Sequence, residues 1–167
     1  MKMVVTVDQF GGYSRNGNIP WDIKEDRLNF KVITTGSACV MGRRTYDHVL
    51  KRKIELKQKI ARQILVDREC YVLSKHTITY AGALWVPSLE VVKLIHPDKQ
   101  IFIVGGGRLF NDHIKDCSDV YMTVIRGSFN CDDFFPVMST KDFHVKSERK
   151  ITTESGHDLE FLHFSRS

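Results

Sequence analysis

The chain has 167 residues, 42% of them hydrophobic and 27% charged, a composition typical of one soluble globular domain over residues 1–167. No apolar run can cross a bilayer, and the run after Met1 is too short for a signal peptide, which predicts a cytoplasmic protein with no membrane partner. The formal charge of +5 equals the basic excess of residues 51–62 alone, so it does not indicate a nucleic-acid-binding protein as a whole.

The first third of the chain alternates strand and helix patterns. Residues 4–7 form a β-branched run that predicts a buried strand, and a glycine-rich loop follows it. A helix is expected from Pro20 to about Thr35, with Asp22 and Glu25 resembling a capping pair. Residues 38–41 predict a second strand, which leads through Gly42 into another helix.

The basic segment, residues 50–67, predicts an extended amphipathic helix that packs on the body of the protein. On a helical wheel of residues 49–67, the apolar side chains lie on about half of the circumference. They are Val49, Leu50, Ile54, Leu56, Ile60, Ala61, Ile64 and Leu65. We expect the charged side to be solvated. The alternative is a surface that binds a protein partner or nucleic acid.

The rest of the chain completes an α/β pattern. Strands are predicted at residues 70–73 and 101–104, with a helix over residues 89–95 between them and another after the second. After Asp119 the strand-like runs 120–125, 143–147 and 159–164 have no long helix between them. We therefore predict an α/β fold whose central sheet of about eight strands is mostly parallel, has an antiparallel C-terminal edge and is flanked by helices.

Asp26 is the first candidate functional residue, because it is an acid on an apolar helix face. Ile23, Phe30 and Ile33 lie at helical spacing from it and share that face. Burial raises the pKa of a carboxyl group, so a buried Asp26 needs a hydrogen-bond partner or a ligand. The alternative is an ordinary first-turn acid, favoured there by the helix dipole.

Two strand-to-helix turns are candidate phosphate sites. Gly42-Arg43-Arg44-Thr45 offers free backbone N–H groups and two guanidinium groups, although two exposed arginines are the simpler explanation. Gly105-Gly106-Gly107-Arg108 lets a phosphate approach the backbone, although it could be only a tight turn. It matches neither the G-x-G-x-x-G fingerprint nor a Walker loop. Because such turns meet at one edge of a parallel sheet, the loops after Met41, Leu73 and Val104 predict a ligand with several phosphates.

Other chemistries have weaker signals. The four cysteines and seven histidines lack metal-ligand spacing, so we expect reduced thiols and no metal, with zinc or a disulfide framework as the alternative. The chain has no H-E-x-x-H or G-x-S-x-G motif, so metal-dependent and serine hydrolysis have no support.

The ordered motifs together resemble the dihydrofolate reductase family over nearly the whole chain. The matching pieces are residues 16–21, Asp26 with Phe30-Lys31, residues 40–45, Arg68, Leu73-Ser74, residues 104–108, residues 121–123 and residues 132–136. The resemblance implies that the protein transfers hydride from NADPH to the pteridine of 7,8-dihydrofolate, which gives tetrahydrofolate. It also implies a monomer and a functional link to thymidylate synthase.

On the substrate side, the resemblance implies three catalytic residues. Asp26 would hydrogen-bond the pteridine and promote its protonation, assisted by Thr123, while Trp21 would order water nearby. Phe30 would pack on the aromatic ring of the substrate, and Arg68 would pair with the carboxylate of its glutamate tail. The other implied substrate contacts are Val4, Val5, Ile19, Arg27, Val49 and Val104.

On the cofactor side, the resemblance implies two groups of phosphate ligands. Arg43, Ser74 and Lys75 would hold the 2′-phosphate, while Arg44, Thr45 and the backbone of residues 105–108 would hold the pyrophosphate. The other implied NADPH contacts are Thr6, Tyr13, Asn18, Ile19, Gly42, Leu73, Leu109 and Phe110. The loop over residues 11–18 resembles a mobile lid, with Asp132 as its latch.

This chain departs from the family pattern at several positions. Arg27 stands where an apolar residue is usual, Thr6, Tyr13 and Ser14 replace smaller or more apolar residues, and the basic segment is long. Two other functions therefore stay open. One is a riboflavin-pathway pyrimidine reductase with the same fold, and the other is a non-catalytic binding protein that uses the basic segment.

Overall fold

The computed structural model describes residues 1–59 and 63–167. Its helices are α1 Lys24–Thr34, α2 Arg43–Glu55, α3 Leu89–Ile95 and α4 Gly107–His113, and a 3₁₀ turn follows at Ile114–Asp116. Its strands are β1 Lys2–Asp8, β2 Gly12–Ser14, β3 Ala38–Gly42, β4 Glu69–Leu73, β5 Leu84–Val86, β6 Ile101–Gly105, β7 Asp119–Ile125, β8 Asp133–Phe134, β9 Phe143–Thr152 and β10 Asp158–Arg166. Each strand predicted from the sequence is present.

Eight of the strands form one sheet in the order β5-β4-β3-β6-β1-β7-β10-β9. The pairs from β5 through β7 are parallel, whereas β10 runs antiparallel to both β7 and β9. The predicted fold class is therefore confirmed. Because β4, β3 and β6 are parallel neighbours, their carboxyl ends lie side by side at one edge of the sheet.

The two faces of β1 carry different parts of the core. Met3, Val5 and Val7 pack with residues of α3 and α4 on one face. Val4 packs on the other face, in the cluster that includes Phe30 of α1. Successive strand residues alternate between faces, so Thr6 lies on the α1 side with Val4.

The start of α1 differs from the prediction. The residue before the helix is Ile23, and no side chain caps the first turn. The predicted capping role of Asp22 is wrong, because its carboxylate pairs instead with Arg27 of α1 and Arg52 of α2. Two guanidinium groups outweigh one backbone N–H as partners of a carboxylate.

The predicted extended helix over residues 50–67 is also wrong. Helix α2 ends at Glu55 with Lys57 in the left-handed region, at a φ of 51°. The N–H of Gln58 donates to the carbonyl of Lys53 at 2.9 Å, so the helix closes in a Schellman turn. Ile54 and Leu56 are 61% and 53% exposed, so they do not pack on the body. Ile60, Ala61 and Arg62 lie outside the described residues.

Beyond that gap, Ile64 is fully buried but not helical, and its N–H donates to the carbonyl of Gly82 at 2.7 Å. In residues 1–59 and 63–167, no helix is both long and apolar enough to cross a membrane.

Candidate active site

The carboxyl group of Asp26 lies where α1 crosses the sheet. The hydroxyl of Thr6 on β1 donates to its Oδ1 at 2.7 Å. Burial raises the pKa of Asp26, and the hydroxyls of Thr6 and Thr123 act in the opposite direction. Thr6 and Thr123 are direct register partners in the parallel pair of β1 and β7. Asp26 is thus a partnered acid at a sheet face, and not a solvated first-turn acid.

The contact between Thr6 and Asp26 is one that sequence reasoning missed, because it placed Thr6 on the cofactor side. No local pattern in the sequence indicated this contact, because it depends on the pairing of β1 with β7, which sets the two hydroxyl side chains next to each other on one face.

Trp21, the third implied catalytic residue, is buried in the cluster with Ile23. Its indole ring meets the ring of Phe129 edge-on, with the centroids 5.1 Å apart. Within the described part of the chain, Trp21 makes no direct hydrogen bond to Asp26. The water-ordering role of Trp21 therefore stays a prediction.

A row of apolar side chains leads from Asp26 to a buried arginine. Phe30, one helical turn after Asp26, shares a cluster with Val4, Val49 and Val104. The guanidinium of Arg68 lies over the Phe30 ring, 5.7 Å from its centroid. Four of the predicted substrate residues therefore meet in this apolar row, together with Arg68 at its end.

Arg68 is only 5% exposed. Its Nε–H donates to the carbonyl of Val66 at 2.9 Å and its Nη1 to the hydroxyl of Thr34 at 3.2 Å. Among residues 1–59 and 63–167, no carboxylate lies within ion-pair distance of it. A guanidinium has five N–H donors, so Arg68 is suited to bind the carboxylate of a ligand.

Three predicted substrate residues lie elsewhere. The side chain of Val5 belongs to the core on the opposite face of the sheet, which leaves only its backbone available to a ligand at Asp26. Ile19 is exposed in the loop before α1. Arg27 is exposed and paired with Asp22, so its guanidinium is turned to an ion cluster that links α1 to Arg52 of α2.

A second part of the site lies where β3 and β6 end. A Cβ on Gly42 would lie 3.7 Å from the backbone nitrogen of Gly106, so the two turns are in close contact. A Cβ on Gly105 would lie 2.9 Å from the hydroxyl of Thr45, and the φ of Gly105 is 137°. Glycine is therefore needed where β6 ends. The predicted convergence of these two turns is confirmed. Gly42, Gly105 and Gly106 together form a glycine cradle.

Cationic and hydroxyl side chains follow β3 and β4, at the same edge of the sheet as this glycine cradle. Arg43 and Arg44 are exposed at the first turn of α2, and Arg43 also forms an i,i+4 ion pair with Asp47 at 3.7 Å. Ser74 follows β4, next to Leu73, and its hydroxyl accepts the N–H of His76 at 3.1 Å. Lys75 is exposed beside it. These groups are chemically suited to phosphate oxygens.

The helix after the cradle contributes mainly its backbone. Arg108 is exposed and pairs with Asp112 at 3.5 Å. The side chains of Leu109 and Phe110 are buried in the core, so only their backbone groups could reach a ligand at the cradle.

The predicted lid lies against the cradle. Strand β2 pairs with β8, and the hydroxyl of Ser14 donates to Asp133 at 2.7 Å. The backbone N–H of Asn16 donates to the carboxylate of Asp132 at 2.9 Å, which is the contact expected of a latch. The hydroxyl of Tyr13 lies so close to Gly107 that a Cβ there would collide with it. The side-chain amide of Asn18 donates to the carbonyl of Asn16, within the lid itself.

Asp8 is a second residue that sequence reasoning missed. It is 2% exposed, and its Oδ1 accepts the N–H groups of Phe10 at 2.9 Å and Gly12 at 3.0 Å. Its Oδ2 accepts the N–H of Phe129 at 3.3 Å. Asp8 thereby anchors the base of the lid to the loop after β7. An aspartate between a buried strand and a glycine pair could have indicated this role.

The four cysteines are free thiols. Burial raises the pKa of Cys39 to about 12 and that of Cys117 to about 11, so these groups are not thiolates at neutral pH. In residues 1–59 and 63–167 no group of three or more histidine, cysteine or acidic side chains could hold a metal ion.

The fold and the site define an α/β protein with a partnered acid next to apolar side chains and with a glycine cradle suited to phosphate. Comparisons with known proteins identify the family. The family profile described as dihydrofolate reductase matches residues 1–166, and the chain therefore belongs to the dihydrofolate reductase family. This membership confirms the predicted class of enzyme, an oxidoreductase that depends on NADP.

Individual relatives agree with this assignment. The dihydrofolate reductase of Staphylococcus aureus is 31% identical over 151 residues, which are 89% of this chain and 86% of the relative. The dihydrofolate reductase of Haemophilus influenzae is 26% identical over 155 residues, which are 91% of this chain and 89% of the relative. Among solved structures, the Enterococcus faecalis dihydrofolate reductase complexed with NADP(H) superposes with a TM-score of 0.82 at 21% identity. The match covers 99% of this chain and 95% of the Enterococcus faecalis chain, which shows that the two proteins share a fold.

Proposed function

We propose that the protein reduces 7,8-dihydrofolate to 5,6,7,8-tetrahydrofolate with NADPH, and that Asp26 assists protonation of the pteridine. The observation that carries this proposal is the order of groups along the apolar row from Asp26 to Arg68. The acid of Asp26 comes first, the ring of Phe30 lies one turn further, and the guanidinium of Arg68 covers that ring. Dihydrofolate presents the matching order of pteridine, aromatic ring and carboxylate tail.

At the pteridine end, Asp26 would bind the ring nitrogen and the amino group of the substrate. Burial raises its pKa, so the carboxyl group can take up and release a proton closer to neutral pH than an exposed aspartate can. The hydroxyl of Thr6 holds the carboxylate from the sheet. At the other end, Arg68 would bind the carboxylate of the glutamate tail through its planar fork.

The cradle fits NADPH, which supplies the hydride when it is bound. Gly42, Gly105 and Gly106 leave room for a phosphate against the backbone, and the hydroxyl of Thr45 faces the same turn. Arg43, Ser74 and Lys75 would bind the 2′-phosphate. Arg44, Thr45 and the backbone of residues 105–108 would bind the pyrophosphate. The lid, latched by Asp132, would exclude water from the reacting carbons.

The direct test is the loss of NADPH absorbance when dihydrofolate is added to the purified protein. The control substrate is the pyrimidine of the riboflavin pathway. Turnover of dihydrofolate alone supports the proposal, whereas turnover of the pyrimidine alone assigns the other reductase function. Folded protein that turns over neither substrate refutes both.

A thymidylate synthase is the proposed functional partner, because its reaction consumes a reduced folate. The relative from Paramecium tetraurelia is a bifunctional dihydrofolate reductase-thymidylate synthase, of which this chain covers 33%. The single-domain and monomeric states stay predictions.

A further inference from the structure

Two threonines lie side by side on neighbouring strands, and one of them binds the carboxylate of Asp26. Thr6 of β1 and Thr123 of β7 are direct partners in the parallel register, and both lie on the face that α1 covers. The hydroxyl of Thr6 donates to Oδ1 of Asp26 at 2.7 Å, a distance typical of a strong O–H to carboxylate bond. Thr6 and Asp26 are far apart in the sequence, so the sheet itself creates this contact.

We infer that Thr6 is a positioning residue, which fixes the orientation of the Asp26 carboxylate toward the substrate. This inference rests on the proposed function. Rotation of an aspartate carboxylate about χ2 is soft, so a carboxylate without a donor is free to swing. The 2.7 Å bond from Thr6 restrains that rotation, and the hydroxyl-bearing Thr123 lies in register with Thr6 on the adjacent strand.

The same hydroxyl also affects protonation. It donates to the charged form of Asp26 and therefore opposes the rise in pKa that burial causes. Thr123 on β7 acts in the same direction, and both effects come from neutral groups.

The charged and titratable groups near Asp26 have partners other than its carboxylate. On α1, Glu25 accepts the N–H of Glu154 and Arg27 pairs with Asp22. On β1, Asp8 accepts backbone N–H groups of the lid base. On β7, Tyr121 stacks on His163 of β10, with their rings 4.2 Å apart.

The test compares Thr6→Val, which keeps the β-branched shape, with Thr6→Ser, which keeps the hydroxyl. The titration of Asp26 is followed by NMR at its carboxyl carbon in the ligand-free protein. In Thr6→Val its pKa should rise by about one pH unit, the effect expected from one lost hydroxyl-to-carboxylate bond. Thr6→Ser should retain the wild-type titration. Thr6→Ala, which also lacks the hydroxyl, replaces the valine variant if that variant does not fold.

Activity and cofactor binding add two further readouts. The pH at which kcat/KM with dihydrofolate declines should move upward in Thr6→Val, while the Kd for NADPH stays at the wild-type value. The matched control is Thr152→Val, because Thr152 donates to Asp158 at the same 2.7 Å but at an exposed site on β9. This control should change neither the titration of Asp26 nor the pH profile.

An unchanged titration of Asp26 in Thr6→Val would overturn the inference, as would a weaker Kd for NADPH with no change at Asp26. The latter result would assign Thr6 to the cofactor instead. Because the titration needs no substrate, it decides the role of Thr6 at Asp26 even if dihydrofolate is not reduced. That failure would refute only the proposed function.

Discussion

Replacing Arg68 with methionine tests the proposed substrate site at the end opposite to Asp26. Methionine keeps much of the apolar contact with the ring of Phe30 but removes the guanidinium fork. A bidentate bond from arginine to a carboxylate contains two charge-assisted hydrogen bonds, and their loss costs about 3 kcal/mol. The KM for dihydrofolate should therefore rise about 100-fold.

The same substitution should have little effect on folding. It removes the bonds to Val66 and Thr34, but it also removes a buried charge that has no acidic partner within the described part of the chain. These two effects oppose each other, because an uncompensated buried charge is costly. The free energy of unfolding should change by less than about 1.5 kcal/mol, as urea denaturation can measure.

The assay measures NADPH oxidation with two substrates, dihydrofolate and a dihydropterin that lacks the glutamate tail. Wild type should prefer dihydrofolate strongly, and Arg68→Met should lose that preference while it retains wild-type activity toward the tailless substrate. Arg68→Lys keeps the charge without the fork and should fall between the two. An equal loss of activity with both substrates would refute the reasoning, because it would mean that Arg68 supports the fold and not the tail.

Three further substitutions test other parts of the site. Asp26→Asn should lower activity strongly at neutral pH and less at acidic pH, where the substrate is already protonated; equal loss at every pH would remove the proton-delivery role. Because burial raises the pKa of Asp26, its charged form destabilises the folded protein at neutral pH, and this penalty disappears as the pH falls through that raised pKa. Asp26→Asn should therefore raise Tm at pH 7 but not in acid, and an unchanged Tm at pH 7 would contradict this. Asp132→Ala removes the acceptor of the Asn16 N–H, so amide hydrogen exchange in the lid should accelerate several-fold. Asp142→Ala is a remote control that should leave the exchange unchanged. Unchanged exchange in Asp132→Ala would show that the latch does not stabilise the lid. Gly107→Ala would collide with the hydroxyl of Tyr13 and should weaken NADPH binding about tenfold, as measured by fluorescence titration. A second substitution, Tyr13→Ala, removes the collision and should restore binding; no recovery would refute the collision as the cause.

Much of the fold follows from local patterns. The β-branched runs of residues 4–7 and 101–104 predict strands because their side chains suit a pleated, buried surface. Gly36 and Pro97 indicate where helices end, because each residue restricts the backbone in a known way. The alternation of strands and helices predicts a parallel sheet, because parallel strands need a crossover connection and that connection is usually a helix.

The end of α2 was not predictable from such signals. Its closing residue in the left-handed region is Lys57, where glycine is usual, so the sequence carried no stop signal. The apolar wheel pattern continued through Ile54 and Leu56, yet both are exposed. Periodicity reports which residues could share a face, but packing decides whether that face meets the core.

The family, the acid at Asp26 with Phe30 one turn later, and the glycine turns after the strands could all be predicted from the chain alone, because each is a local pattern of residue types and spacings. The groups that surround the acid became visible only in the folded protein. The pairing of β1 with β7 brings the hydroxyl of Thr6 to Asp26, and the return of residues 63–68 brings Arg68 over Phe30. Such contacts join residues that are distant in the chain, and no local propensity encodes which distant side chain fills a given space.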